Sequence, residues 1–193
     1  MRNCNFSRVK FFINSIPNAI TISRIFFTVI FSYCVFEEKL LAALIFFALA
    51  SISDFLDGYL ARAFKVVSKF GAMLDPVADK ILIFVAYFSL CLQKYIPTYL
   101  AATVILRDIL ILAAVIFCLR KKIDLQFSPL WSSKINTTVQ MLYVIIVLVY
   151  HLNHVEYPQW MLTSATAVVF ITTVFSGAEY AEKYRGILQK LFK

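Results

Sequence analysis

Apolar residues run through this sequence in six long blocks, each closed by a short charged or proline-marked break. A helix that crosses the hydrocarbon core of a bilayer needs about 20 residues, at about 1.5 Å of rise each. All six blocks reach or approach that length. The first covers residues 17–36 and opens on Pro17, at the start of a helix where a missing N–H is no loss. Glu37, Glu38 and Lys39 interrupt it, and the second covers 40–63. The third covers 74–93, with Pro76 in its first turn; Pro97 opens the fourth, 97–119. The fifth covers 134–151, and Pro158 opens the sixth, which fades at Tyr180. The pattern predicts an all-α integral membrane fold with six transmembrane helices and a short basic N-terminal juxtamembrane segment. No repeat, linker or low-complexity tract divides it, so residues 1–193 read as a single domain. Residues 120–133 are the longest polar stretch and are expected at the membrane interface.

Composition strengthens this reading. Hydrophobic residues make up 61% of the chain, and 19 of its 193 residues are phenylalanine. A fold this small hides only part of the apolar surface it carries, so the bilayer is the natural solvent for the rest. The net charge of +8 suits nucleic acid or anionic lipid headgroups. No nucleic-acid module is visible, and the placement of the charges favours lipid. Arg2, Arg8 and Lys10 precede the first span, Lys65 and Lys69 follow the second, Arg120, Lys121 and Lys122 follow the fourth, and Lys183, Arg185, Lys190 and Lys193 lie in the tail. The opposite loops hold only Lys39, Lys94 and two histidines. The positive-inside rule then puts both termini in the cytoplasm. The basic start resembles a signal n-region but lacks a small-residue cleavage site, so it reads as a retained first helix. Cys4, Cys34, Cys91 and Cys118 are scattered, with no metal-ligand spacing, and read as small apolar residues.

Acidic residues number 11, and four of them, Asp54, Asp57, Asp75 and Asp79, gather at the cytoplasmic ends of the second and third spans. Carboxylates in membrane helices are costly and mark function. The spacings of three and four put each pair on one helical face, and a short loop makes the two helices antiparallel neighbours. Four facing carboxylates repel unless a cation offsets them. Oxygen ligands suit Mg²⁺ or Mn²⁺, and a pair of such ions serves displacement at phosphorus. Gly58, Ala61 and Gly71 leave room for a nucleotide, and Arg62 offers a fork of donors to phosphate.

The stretch DFLDGYLARAFKVVSKFGAMLDPVAD resembles the signature of the CDP-alcohol phosphatidyltransferase family, D-x2-D-G-x2-A-R-x8-G-x3-D-x3-D. It meets every fixed position, at Asp54, Asp57, Gly58, Ala61, Arg62, Gly71, Asp75 and Asp79. The resemblance implies a six-helix membrane fold, often a homodimer, with a site open to the cytoplasmic leaflet. It implies that Asp54, Asp57 and Asp75 are ligands of two metal ions and that Asp79, also a ligand, takes the proton of the acceptor hydroxyl. Gly58, Ala61, Arg62 and Gly71 are implied as the wall of the CDP pocket. The implied reaction is attack of an alcohol on the β-phosphorus of CDP-diacylglycerol with loss of CMP.

The segment IPNAITISR is similar to the family's entry segment, and Asn18, Thr21 and Arg24 lie three apart on one face. Read for function, Asn18 and Thr21 contact the nucleotide and Arg24 a phosphate. Read for structure, Asn18 caps a helix and Arg24 is interfacial. Arg107, beside Asp108 in the fourth span, is an acceptor-phosphate ligand or one half of a structural ion pair. Lys134 is a second acceptor ligand or an interfacial anchor. The runs DPVADK, LRDILILAAV and SSKINTTVQM resemble the branch that holds cardiolipin synthases and phosphatidylglycerophosphate synthases. The second of these groups usually reads Arg-Glu where this chain reads Arg107-Asp108, with another arginine a turn or two later, whereas only apolar residues stand here before Arg120. Phosphatidylglycerol is therefore the expected acceptor and glycerol-3-phosphate the alternative. The setting is a bacterial cytoplasmic membrane or a mitochondrial inner membrane.

An ion-coupled transporter also carries intramembrane acids, but near midplane and in two related halves; a non-catalytic scaffold needs no intact acid tetrad. His151 and His154 lack a third ligand and read as interfacial, as do Trp131, Tyr157 and Trp160.

Overall fold

The computed structural model describes residues 22–64, 71–120, 131–152 and 158–191, with side chains described for 22–53, 80–114, 131–152, 158–183 and Arg185. Among the described residues there are six helices and no strand: α1 (Ile22–Phe36), then α2 (Leu40–Phe64), α3 (Gly71–Leu92), α4 (Thr98–Arg120), α5 (Trp131–Leu152) and α6 (Gln159–Leu191). Three helices extend beyond the expected spans, α5 by starting at Trp131 rather than Lys134. α3 starts earlier, at Gly71, which moves Pro76 from the first turn to the second. α6 runs on to Leu191, because the residues after Tyr180, AEKYRGILQKL, are good helix formers apart from Gly186.

The turns after α1 and α3 are built alike. Lys39 N–H bonds the Cys34 carbonyl (2.9 Å) and Glu38 N–H the Val35 carbonyl (3.2 Å). Tyr95 N–H bonds the Leu90 carbonyl (2.9 Å) and Lys94 N–H the Cys91 carbonyl (3.0 Å). These crossed pairs define Schellman caps, which satisfy the last carbonyls of a helix by putting one residue in the left-handed region. Here those residues are Glu38 (φ 56°) and Lys94 (φ 60°) rather than glycines.

The chain divides into two compact units, residues 1–89 and 90–193. In the first, the short turn folds α2 back on α1, where Phe31 meets Phe47 at 5.4 Å and Phe27 meets Phe46 at 6.1 Å between ring centroids. Arg24, Thr28, Phe31 and Val35 form the buried stripe of α1, and Leu40, Ala43, Phe47 and Ala50 that of α2. In the second unit α6 lies between two partners. It runs parallel to α4, since Tyr99 meets Phe170 and, two turns on, Arg107 bonds Ser176. It runs antiparallel to α5, since Tyr143 pairs with Thr166 and Asn136 with Thr173.

Both units turn a soluble protein's polarity inside out. Arg24, Arg107, Asn136, Gln140, Thr173 and Ser176 are buried, while Ile22, Phe26, Leu106, Leu110, Ile171 and Phe175 are exposed. Water penalises such a surface; hydrocarbon accepts it and favours polar residues between helices. Among the described residues, two helical stretches, Trp131–Leu152 and Gln159–Lys183, are long and apolar enough to cross a membrane.

Candidate functional site

The signature falls on helical backbone. Asp54, Asp57, Gly58, Ala61 and Arg62 lie on α2, Asp75 and Asp79 on α3, and Gly71 is the first residue of α3. At 3.6 residues per turn, a helix holds positions three or four apart on one face, so each aspartate pair shares a face of its helix. The side chains of this segment lie outside the described residues, as do Asn18 and Thr21 entirely. Among the described residues no three His, Cys, Asp or Glu side chains converge. The donor set itself, four carboxylates in two helical pairs, is chemically suited to a hard divalent cation.

The described polar centre lies in the second unit, at Arg107. Its side chain is 5% exposed, in the middle of α4. Nη1 donates to Asp108 Oδ1 at 2.7 Å. Nη2 donates to Ser133 Oγ on α5 at 3.0 Å and to Ser176 Oγ on α6. The guanidinium also lies 5.8 Å from the ring centroid of Tyr180. A charge taken out of water needs this many partners, because desolvation otherwise outweighs the Coulomb gain. Gly177 of α6 faces this side chain: a Cβ there would stand 3.6 Å from Arg107 Cγ, an ordinary van der Waals contact. Arg107 Nε remains buried without a hydrogen-bond partner among the described residues. Sequence reasoning found Arg107 and Asp108, which are adjacent, and missed Ser133, Ser176 and Tyr180.

A polar seam continues from this centre between α5 and α6. Thr173 Oγ1 donates to Asn136 Oδ1 at 3.1 Å, Gln140 Nε2 donates to Thr173 Oγ1 at 3.3 Å, and the hydroxyls of Tyr143 and Thr166 pair at 2.9 Å. The available signal was the spacing: 133, 136, 140 and 143 lie on one face of α5, and 166, 173 and 176 on one face of α6.

The other expected residues are placed as follows. Arg24 is fully buried, unlike an arginine held in the headgroup layer, and its own carbonyl accepts from Thr28 Oγ1 at 2.8 Å. Lys134 is exposed, its Nζ 5.4 Å from the Trp131 ring centroid, on the outer side of α5 from Ser133 and Asn136. His151 Nδ1 bonds the Val147 carbonyl at 2.8 Å, and its ring packs on Tyr95 at 4.8 Å. Trp131 and Trp160 are exposed. His154 and Tyr157 lie outside the described residues.

The helices and the inverted polarity define an all-helical protein of membrane type, and the acidic signature lies on two of its helices. A family model described as CDP-alcohol phosphatidyltransferase matches residues 14–175, through both units. The cardiolipin synthase (CMP-forming) of Rattus norvegicus is 34% identical over 146 residues, 67% of this chain and 48% of that protein. Its Homo sapiens counterpart is 35% identical over the same shares. The CDP-diacylglycerol–glycerol-3-phosphate 3-phosphatidyltransferase of Salmonella typhimurium is 34% identical over 182 residues, 90% of this chain and 97% of that protein. The chain therefore spans about half the length of the cardiolipin synthases it matches and nearly all of the Salmonella protein. It belongs to the CDP-alcohol phosphatidyltransferase family.

Proposed function

We propose that this chain transfers a phosphatidyl group from CDP-diacylglycerol to phosphatidylglycerol, giving cardiolipin and CMP. The observation that carries the reading is the acidic signature, complete at every fixed position and borne on helical backbone. Asp54, Asp57, Asp75 and Asp79 would hold Mg²⁺ or Mn²⁺, two ions in all, whose charge when bound offsets that of the diphosphate and of departing CMP. Gly58, Ala61, Arg62 and Gly71 wall the cytidine diphosphate, with Asn18 and Thr21 beside it. Asp79 accepts the proton of the acceptor hydroxyl. That oxygen bonds to the β-phosphorus, and the bond from this phosphorus to the CMP oxygen breaks. Arg107 meets the acceptor's phosphate, and Arg24 and Lys134 are further candidates for that role.

The acceptor follows from charge. Where the glycerol-3-phosphate-using group carries a further arginine a turn or two on, only apolar residues stand here between Asp108 and Arg120, and this lower positive charge suits a singly charged phosphodiester better than a doubly charged phosphomonoester. Glycerol-3-phosphate is the second reading, favoured by the coverage of the Salmonella relative. The same proposal includes six membrane spans, cytoplasmic termini, a homodimer, and a bacterial cytoplasmic or mitochondrial inner membrane.

The test is a two-acceptor assay of purified protein with Mg²⁺ and CDP-diacylglycerol, with Asp79→Asn as control. Cardiolipin formed from phosphatidylglycerol, no product from glycerol-3-phosphate, and a loss of about 10²-fold or more in Asp79→Asn are the expected results. Phosphatidylglycerophosphate formed instead makes the second reading right. CMP release with neither acceptor, from folded protein, sinks both.

A further inference from the structure

The function proposed above leaves one feature of the second unit unused, a groove between α4 and α6. It encloses about 500 Å³, a volume that one long acyl chain fills. Leu106, Leu110 and Ile111 of α4 and Val174 of α6 form its sides. Gly177, which carries no side chain to fill it, lies on its floor against Arg107. The groove is open rather than sealed, since Leu106, Leu110 and Val174 are all exposed.

One charged group interrupts these apolar walls. Arg107 lines the groove, is 95% buried by its 5% exposure, and keeps Nε without a hydrogen-bond partner among the described residues. Its Nη atoms bond Asp108, Ser133 and Ser176, while Nε donates to none of the described residues and can serve a ligand. A buried donor gains from an acceptor oxygen, and apolar walls gain from an apolar chain. A ligand that supplies both is an anionic lipid. Arg107 is offset by Asp108 and no second arginine stands before Arg120, a charge balance that suits the single negative charge of a phosphodiester.

From this juxtaposition we infer that the α4–α6 groove is an acyl-chain site for the lipid acceptor: one chain of phosphatidylglycerol lies along it while the phosphodiester accepts a hydrogen bond from Arg107 Nε. The site shares no residue with the signature assigned to the donor. It rests on the phosphatidyltransferase reading, and it adds what that reading lacks, a structural reason for a diacyl acceptor in place of a soluble one.

Val174→Trp and Leu110→Trp fill the groove from exposed positions where folding tolerates bulk. Wild type and both variants are compared for CMP release with dioleoyl and with dihexanoyl phosphatidylglycerol. Filling the groove is expected to raise KM for the dioleoyl acceptor about tenfold, and to leave KM for the dihexanoyl acceptor and for CDP-diacylglycerol where they were. Equal shifts for the two chain lengths, or a rise in the CDP-diacylglycerol KM, overturn the inference. A dimer that falls apart in Val174→Trp with every KM unchanged assigns the groove to a second copy and overturns it too. A wild-type protein that releases no CMP counts against the phosphatidyltransferase reading instead. The groove is then judged by native mass spectrometry: loss of bound dioleoyl phosphatidylglycerol in Val174→Trp supports it, and equal retention sinks it.

Discussion

Arg107 concentrates the problem of placing a full charge inside an apolar helix pair. Its partners come from three helices, α4, α5 and α6, and the carboxylate among them is only 12% exposed. Removing one half of such a pair leaves the other charge buried and uncompensated, a cost of about 3 kcal/mol or more. Asp108→Asn is therefore expected to lower the thermal unfolding temperature in detergent substantially. Replacing both residues, as Arg107→Met with Asp108→Leu, is expected to restore most of that stability while abolishing use of the acceptor. A double variant as unstable as the single one would mean that the pair is not what Asp108 contributes. The pair was legible in the sequence because its members are neighbours. Ser133 and Ser176 were not, because a serine in an apolar helix carries little signal until the register of α5 and α6 is known.

The same contrast holds for whole elements. The ends of α1 and α3 were readable from the charged and polar breaks after them, since a break in apolar pattern is a local property of sequence. The manner of stopping was not readable. A Schellman cap calls for glycine or asparagine at its left-handed position, and this chain has Glu38 and Lys94 there. The apolar stretch of α6 stops at Lys183, close to the expected Tyr180, while the helix itself runs on to Leu191, because the apolar pattern reports where hydrocarbon stops, not where a helix does. The left-handed conformation costs a residue with a Cβ about 1–2 kcal/mol, and glycine gives back part of that through the freer unfolded chain. Lys94→Gly is thus expected to stabilise the protein by roughly 0.5–1 kcal/mol, seen as a higher unfolding temperature. A drop would show that the Lys94 side chain contributes more than its strained backbone costs.

At the scale of the molecule, two independent features bear on how the chain sits in a membrane. Large apolar side chains face outward and polar ones inward, which calls for hydrocarbon around the helices. Lysine and arginine gather in alternate loops, which calls for one side of that hydrocarbon to be the cytoplasm. The proposed topology would put the acidic signature at the basic side, where a nucleotide-activated lipid would be met. That proposal predicts the exposed turn residues Lys39 and Lys94 on the far side and Lys183, late in α6, in the cytoplasm. A chain with Cys4, Cys34, Cys91 and Cys118 replaced can carry a single cysteine at each of these positions in turn. Lys39→Cys and Lys94→Cys are expected to react with a membrane-impermeant maleimide on intact cells, and Lys183→Cys only after the membrane is opened. Labelling of Lys183→Cys on intact cells would invert the topology and put the acidic signature on the side without CDP-activated lipid. Labelling of Lys39→Cys but not Lys94→Cys would break the alternation itself, since an even number of crossings between α1 and α4 is what places both turns together.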